Sequence, residues 1–150
     1  MTFNKKLYIA SDHAGYDMKL KIIAYLQKNN INVTDLGTKD TTSVDYPTYA
    51  FSLGEKVASS SKNFGILVCG TGYGMCIAVN KVKHIRAVSL DTPKFASLAV
   101  THNNINVVCL SGRFVSLAKN IRILKQLFKS SFSNQERHIG RINMIANYEK

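Results

Sequence analysis

Apolar residues fall in short runs, and the runs alternate with stretches in which every third or fourth position is apolar. Leu7 to Ala10 (LYIA) reads as a buried strand. Tyr16 to Asn29, with Leu20, Ile23 and Leu26 at helical spacing, reads as a helix, and INVTDLG follows as a second strand. After the turn-rich GTKDTTSVDYP, Pro47 suits the first turn of a helix running to Ser59, and Phe64 to Cys69 (FGILVC) is a near-continuous apolar strand. The alternation continues with a helix from Gly74 to Lys83, a strand RAVSL, a helix opened by Asp91 and Pro93, and a strand NVVCL. A helix from Ser116 to Lys129 and, after SSFSNQ, a last one from Arg137 to Tyr148 complete the chain. Near-continuous apolar strands separated by helices predict a parallel sheet covered on both faces. The expected fold is a three-layer α/β/α, Rossmann-like five-stranded sheet, in a single domain over residues 1–150.

Composition narrows the class. A chain of 150 residues, 45% apolar, fits one core. No apolar run is long enough to span a bilayer, and the start MTFNKKLYIASDH lacks the small-residue cleavage pattern of a leader, so a cytoplasmic protein away from membranes is expected. Three cysteines without a CxxC pair describe neither a disulfide framework nor a zinc knuckle. Any special cysteine must therefore act as a thiol. The balance of 20 Lys+Arg against 9 Asp+Glu, a net charge of +11, fits nucleic acid, an anionic membrane or small anionic substrates. The basic residues are scattered, with no basic block and no interleaved aromatics, which argues against nucleic acid and leaves small anions or solvated lysines.

A parallel sheet binds its ligands at the carboxyl ends of its strands. By that rule the polar loops are Ser11-Asp12-His13-Ala14-Gly15, the segment Cys69-Gly70-Thr71-Gly72-Tyr73-Gly74, and Ser111-Gly112-Arg113, with Thr101-His102-Asn103-Asn104 expected on the same edge. In CGTGYG the glycines let backbone amides converge where a helix begins, which makes an anion cradle. A thiol at its first position is favoured as thiolate, a base or nucleophile. The spelling excludes three alternatives: it lacks the third glycine of a dinucleotide fingerprint and the Walker lysine, and Met75 stands where a cysteine phosphatase needs arginine.

Asp12 and His13 either face this cradle or, for Asp12, cap the first helix, and the two roles are compatible. No carboxylate or histidine stands at metal-ligand spacing to them, so no metal and no cofactor is expected. His102 beside Asn103 is the better acid or base candidate, since His84 lies in the basic turn KVKHIR and reads as solvated. Arg137 and Arg141, four apart, share one helix face that suits a phosphate or, equally, solvent, with Arg113 as a further guanidinium and His138 as a helper or a bystander. Cys76 and Cys109 read as core. A thiolate beside amides that hold an oxyanion can move a proton between carbons next to a carbonyl.

The pieces SDHAG (11–15), DYP (45–47), ILVCGTGYGMCIAVNK (66–81), IRAV (85–88), HNNINV (102–107), SGR (111–113) and RHIGR (137–141) together resemble the ribose-5-phosphate isomerase B family. That family also includes galactose-6-phosphate isomerase subunits and allose-6-phosphate isomerases. The resemblance implies an aldose–ketose isomerase that interconverts ribose 5-phosphate and ribulose 5-phosphate through an enediolate, in the pentose phosphate pathway. It implies Cys69 as the base, His102 as the ring-opening acid, and Thr71 near the reacting oxygens. Asp12, His13, Gly70, Gly72, Tyr73, Gly74, Asn103, Arg113, Arg137 and Arg141 would contact substrate. It further implies a homodimer or homotetramer with shared sites, the segment from residue 135 lying at a subunit interface. Tyr73 stands where an aliphatic residue is usual, and QERHIGR replaces a glycine-rich approach. A phosphosugar-binding module would share the cradle and the arginines without needing the thiol.

Overall fold

A computed structural model describes residues 3–149 of the domain expected over 1–150. The element order is β1 (Lys6–Ser11), α1 (Tyr16–Lys28), β2 (Val33–Asp35), α2 (Tyr46–Ala58), β3 (Asn63–Cys69), α3 (Tyr73–Val79), β4 (Ala87–Ser89), a 3-10 turn (Pro93–Phe95), α4 (Ala96–Asn103), β5 (Val107–Ser111), α5 (Leu117–Lys129) and α6 (Glu136–Tyr148). All strand pairs are parallel, in the order β2-β1-β3-β5-β4.

Strand alternation sorts side chains to the two faces. Leu7, Ile9, Phe64, Ile66, Val68, Val108 and Leu110 pack with α1, α4 and α5. Tyr8, Ala10, Leu67, Cys69, Val107 and Cys109 pack with α2 and α3. Each fully buried Leu or Ile is worth about 1.5–3 kcal/mol, so both helical layers are firmly held and the fold is the expected three-layer one. The exception is α6, whose only fully buried residue is His138 and which leaves Ile139, Met144, Ile145 and Tyr148 exposed.

Several boundaries differ from the sequence reading. Helix α1 buries Met18, Lys19, Ile22 and Leu26, while Leu20 is exposed. Helix α3 stops at Val79 because the Asn80 side chain turns back to the β4 backbone, donating to the Ala87 carbonyl at 3.0 Å and accepting from its N–H at 2.9 Å. Thr92, not Asp91, caps the 3-10 turn, its hydroxyl accepting from the Lys94 N–H. The edge strands β2 and β4 are only three residues each, shorter than INVTDLG and RAVSL suggest.

Lys19 is wholly buried, and its ammonium donates to both Asp35 carboxylate oxygens at 2.7 and 2.8 Å and to the Thr38 carbonyl at 2.6 Å. The pair ties α1 to the end of β2. The chain leaves β1 toward one edge and β3 toward the other, so the crevice between their carboxyl ends is the switch point of the sheet.

Candidate active site

At that crevice β1 delivers Asp12 and His13, and β3 delivers Cys69 and the glycine loop. Asp12 is 6% exposed, and its Oδ1 accepts the Gly15 N–H at 2.9 Å, so it does brace the entry to α1. Its other oxygen has no hydrogen-bond partner among the described residues. His13 is half-buried, and its Nδ1 accepts the Val44 N–H at 3.2 Å, which makes Nε2 the donor nitrogen of the neutral ring. Cys69 is 5% exposed, and its sulfur accepts the Gly72 N–H at 3.1 Å. The sulfur thus faces the backbone amides where α3 begins.

The loop needs glycine at position 72. Its φ is +87°, and a Cβ there would lie 2.9 Å from the Ser89 hydroxyl and 3.2 Å from the Leu110 carbonyl carbon. Thr71 is exposed, its Oγ1 accepting the Tyr73 N–H at 3.2 Å, and Tyr73 is itself mostly exposed. Tyr46, which the sequence reading did not single out, lays its ring against Gly74, where a Cβ would come within 3.0 Å of it. Arg113 reaches back over Gly70: a Cβ at Gly70 would sit 3.6 Å from the Arg113 Cδ and 3.7 Å from the Ala14 Cβ. Asp12, His13, Cys69, the loop from Gly70 to Gly74, and Arg113 are therefore brought together.

His102, Asn103, Arg137 and Arg141 are not brought to this edge. Helix α4 runs back from the carboxyl end of β4, so its last turn, carrying His102 and Asn103, lies at the amino edge of the sheet. There His102, Asn103, His138 and Arg141 line a cavity of about 370 Å³ with Ile85, Arg86 and Ala87 at the start of β4. The His102 and His138 rings lie 4.5 Å apart, and the Ser133 hydroxyl is 2.7 Å from the His138 Nδ1. Burial, then the His102 ring and the Arg137 and Arg141 guanidiniums, hold the His138 imidazole below its ordinary value. His138 is thus the packing partner of His102. The expectation that all four polar loops share one edge is corrected: a helix that returns across the sheet delivers its C-terminal residues to the opposite edge.

Of the other thiols, burial in the β5 core pushes Cys109 well above its ordinary value, and Cys76 is half-buried on α3. His84 is exposed, 3.6 Å from a Glu149 carboxylate oxygen. Among the described residues no group of three His, Cys, Asp or Glu side chains converges as a metal site, and no helix is long and apolar enough to cross a membrane.

Comparison with known proteins matches residues 7–145 to the Ribose/Galactose Isomerase family. This chain belongs to that family. It is 45% identical to a probable ribose-5-phosphate isomerase B of Mycoplasma genitalium, over all of this chain and 98% of that protein. It is 36% identical to ribose-5-phosphate isomerase B of Escherichia coli, over 97% of each. A crystal structure of the Mycoplasma genitalium enzyme with bound ribulose-5-phosphate superimposes with a TM-score of 0.93, at 43% identity, over 99% of this chain and 98% of that one. The three-layer fold of this isomerase family is the fold observed here.

Proposed function

We propose that the chain interconverts ribose 5-phosphate and ribulose 5-phosphate, with each active site built from two copies of the chain. The observation that carries this reading is the Cys69 thiol at the sheet's switch point, its sulfur already accepting the Gly72 amide. One copy supplies Cys69, the loop from Gly70 to Gly74, Asp12, His13 and Arg113. The other supplies His102, Asn103, Arg137 and Arg141 from its amino edge.

In this mechanism His102 of the partner subunit protonates the ring oxygen as the C1 hydroxyl loses its proton, which opens the sugar to the aldehyde. The Cys69 thiolate takes the C2 proton, and the electron pair moves onto the carbonyl to leave an enediolate. Loop amides hold the charge. Cys69 returns the proton to C1 while O2 loses its proton and O1 gains one, and Thr71 stands beside these oxygens. Asp12, His13 and Asn103 orient the hydroxyls. Arg113, Arg137 and Arg141 grip the phosphate, whose binding energy aligns the reacting carbons. Neither a metal nor a cofactor enters, and the setting is the cytoplasm.

The test is an isomerisation assay of ribose 5-phosphate beside allose 6-phosphate and galactose 6-phosphate, with and without chelator. Ribose 5-phosphate should be turned over best and chelator should change nothing. Cys69→Ser should abolish turnover in a folded protein that still binds sugar phosphate. Retention of more than about a tenth of the activity, roughly 1.4 kcal/mol of barrier, would remove Cys69 as the base.

A further inference from the structure

In a regular strand successive carbonyls point to opposite sides, but at the end of β3 two in a row point the same way. The Cys69 carbonyl accepts the Gly112 N–H at 2.8 Å, and the next carbonyl, that of Gly70, also turns toward the end of β5. There it accepts the Ser111 hydroxyl at 2.7 Å and the Arg113 N–H at 3.2 Å. A trans peptide directs its N–H opposite to its C=O. The N–H groups of Gly70 and Thr71 therefore both face away from β5, toward the β1 side of β3, where Asp12 and His13 stand. Neither N–H has an acceptor among the described residues. Two adjacent unpaired amides aimed one way form a concavity for an anion.

We infer that Ser111 is a positioning residue for the isomerisation: its hydroxyl turns the Gly70–Thr71 peptide so that the Thr71 N–H joins that of Gly70 on the enediolate oxygens. The inference rests on the proposed role of the cradle and adds a residue outside it. Ser111 is 4% exposed, and the same hydroxyl accepts the Phe114 N–H at 3.0 Å, which fixes its direction. Its backbone is held in turn by Asn120, buried on α5, whose amide donates to the Ser111 carbonyl at 3.0 Å and to the Val115 carbonyl at 3.4 Å. Without the hydroxyl the Gly70 carbonyl keeps only the longer Arg113 bond. The turn persists, but the peptide is free to rotate toward the ordinary strand direction and withdraw the Thr71 N–H.

The experiment compares Ser111→Ala, Ser111→Thr and Cys69→Ser by steady-state kinetics on ribose 5-phosphate, with inhibition by inorganic phosphate and by a hydroxamate that mimics the enediolate and carries the same phosphate. Loss of one aligned oxyanion donor lowers kcat by about 10²–10³, so a misdirected one in Ser111→Ala should lower it by about 10- to 100-fold. KM and phosphate inhibition should stay within about twofold, and hydroxamate affinity should fall with kcat/KM, since only groups used in the transition state are lost. Ser111→Thr, which keeps the hydroxyl, should recover most of the rate. A general loosening of the fold would not separate the hydroxamate from phosphate. If Ser111→Ala does not fold, Ser111→Cys, of similar volume but a weak donor, replaces it. Full kcat in the donor-less variant beside an inactive Cys69→Ser overturns the positioning role and leaves the function standing. Full kcat in Cys69→Ser overturns both.

Discussion

Because Cys69 and His102 lie at opposite edges of one sheet, a shared site makes a quantitative prediction about mixed oligomers. In a two-fold dimer each site takes Cys69 from one chain and His102 from the other. A Cys69→Ser dimer then has two sites without a base, and a His102→Ala dimer has two without the acid. Loss of a positioned acid or base costs about 10²–10⁴ in rate, so each parent is nearly inactive. A hybrid of the two chains concentrates both defects in one site and leaves the other intact. Random exchange at equal concentrations gives about half hybrids, each with one good site of two, and hence about a quarter of wild-type activity. With distinct affinity tags the doubly tagged hybrid can be isolated, and its specific activity should be about half that of wild type. Tetramers built from such dimers give the same fractions. A site confined to one chain gives no recovery, because every site then carries one defect. A purified hybrid no more active than its parents would therefore refute the two-chain site, and with it the assignment of His102 to the partner's reaction.

Three further outcomes are expected. Arg137→Ala should reduce kcat/KM for ribose 5-phosphate far more than for unphosphorylated ribose, because ribose never used that charge-assisted contact; equal losses would reassign the arginine to holding α6. Asp35→Asn should destabilise the fold by about 2–4 kcal/mol, since it strands a wholly buried ammonium. Lys19→Met should cost less, because the Asp35 carboxylate it leaves behind is partly solvated, and denaturant titration giving the opposite order would reject this account. His138, held below its ordinary value of 6.5, takes up a proton in the unfolded chain before it does in the folded one. Stability should thus be constant above that pH and fall as pH drops below it, and His138→Gln should flatten the decline in thermal melts.

The strands were legible because sheets covered on both faces demand contiguous apolar residues, and the segments from Leu7 and from Phe64 supply them. The cradle was legible because only glycine fits position 72. What escaped the sequence depends on partners distant along the chain. Helical spacing points to Leu20, yet α1 turns Lys19 inward onto Asp35 and the Thr38 carbonyl, burying Met18 and leaving Leu20 exposed. Asn80 ends α3 early through Ala87, seven residues on. Polarity alone puts His102 with the other loops, because its segment is polar like theirs. Chain direction, which alternates between strand and helix, gives the edge that polarity does not.

Helix α6 carries two features that a single chain does not reconcile. Its own domain buries only His138, leaving Ile139, Met144, Ile145 and Tyr148 in solvent, yet the same helix holds Arg137 and Arg141 far from the thiol they are proposed to serve. The second copy in the proposed two-chain site would resolve both at once. A contact that covers the apolar side chains is favourable by roughly 25 cal/mol per Å² removed from water, and it brings the guanidiniums of one chain toward the switch point of the other. Association and assembly of the phosphate grip are then one event. On this reading, exposed apolar residues on α6 are as necessary to turnover as the arginines, although they touch no substrate. In the proposed arrangement the charge sits on a helix that its own core barely holds, so the phosphate grip would depend on the partner.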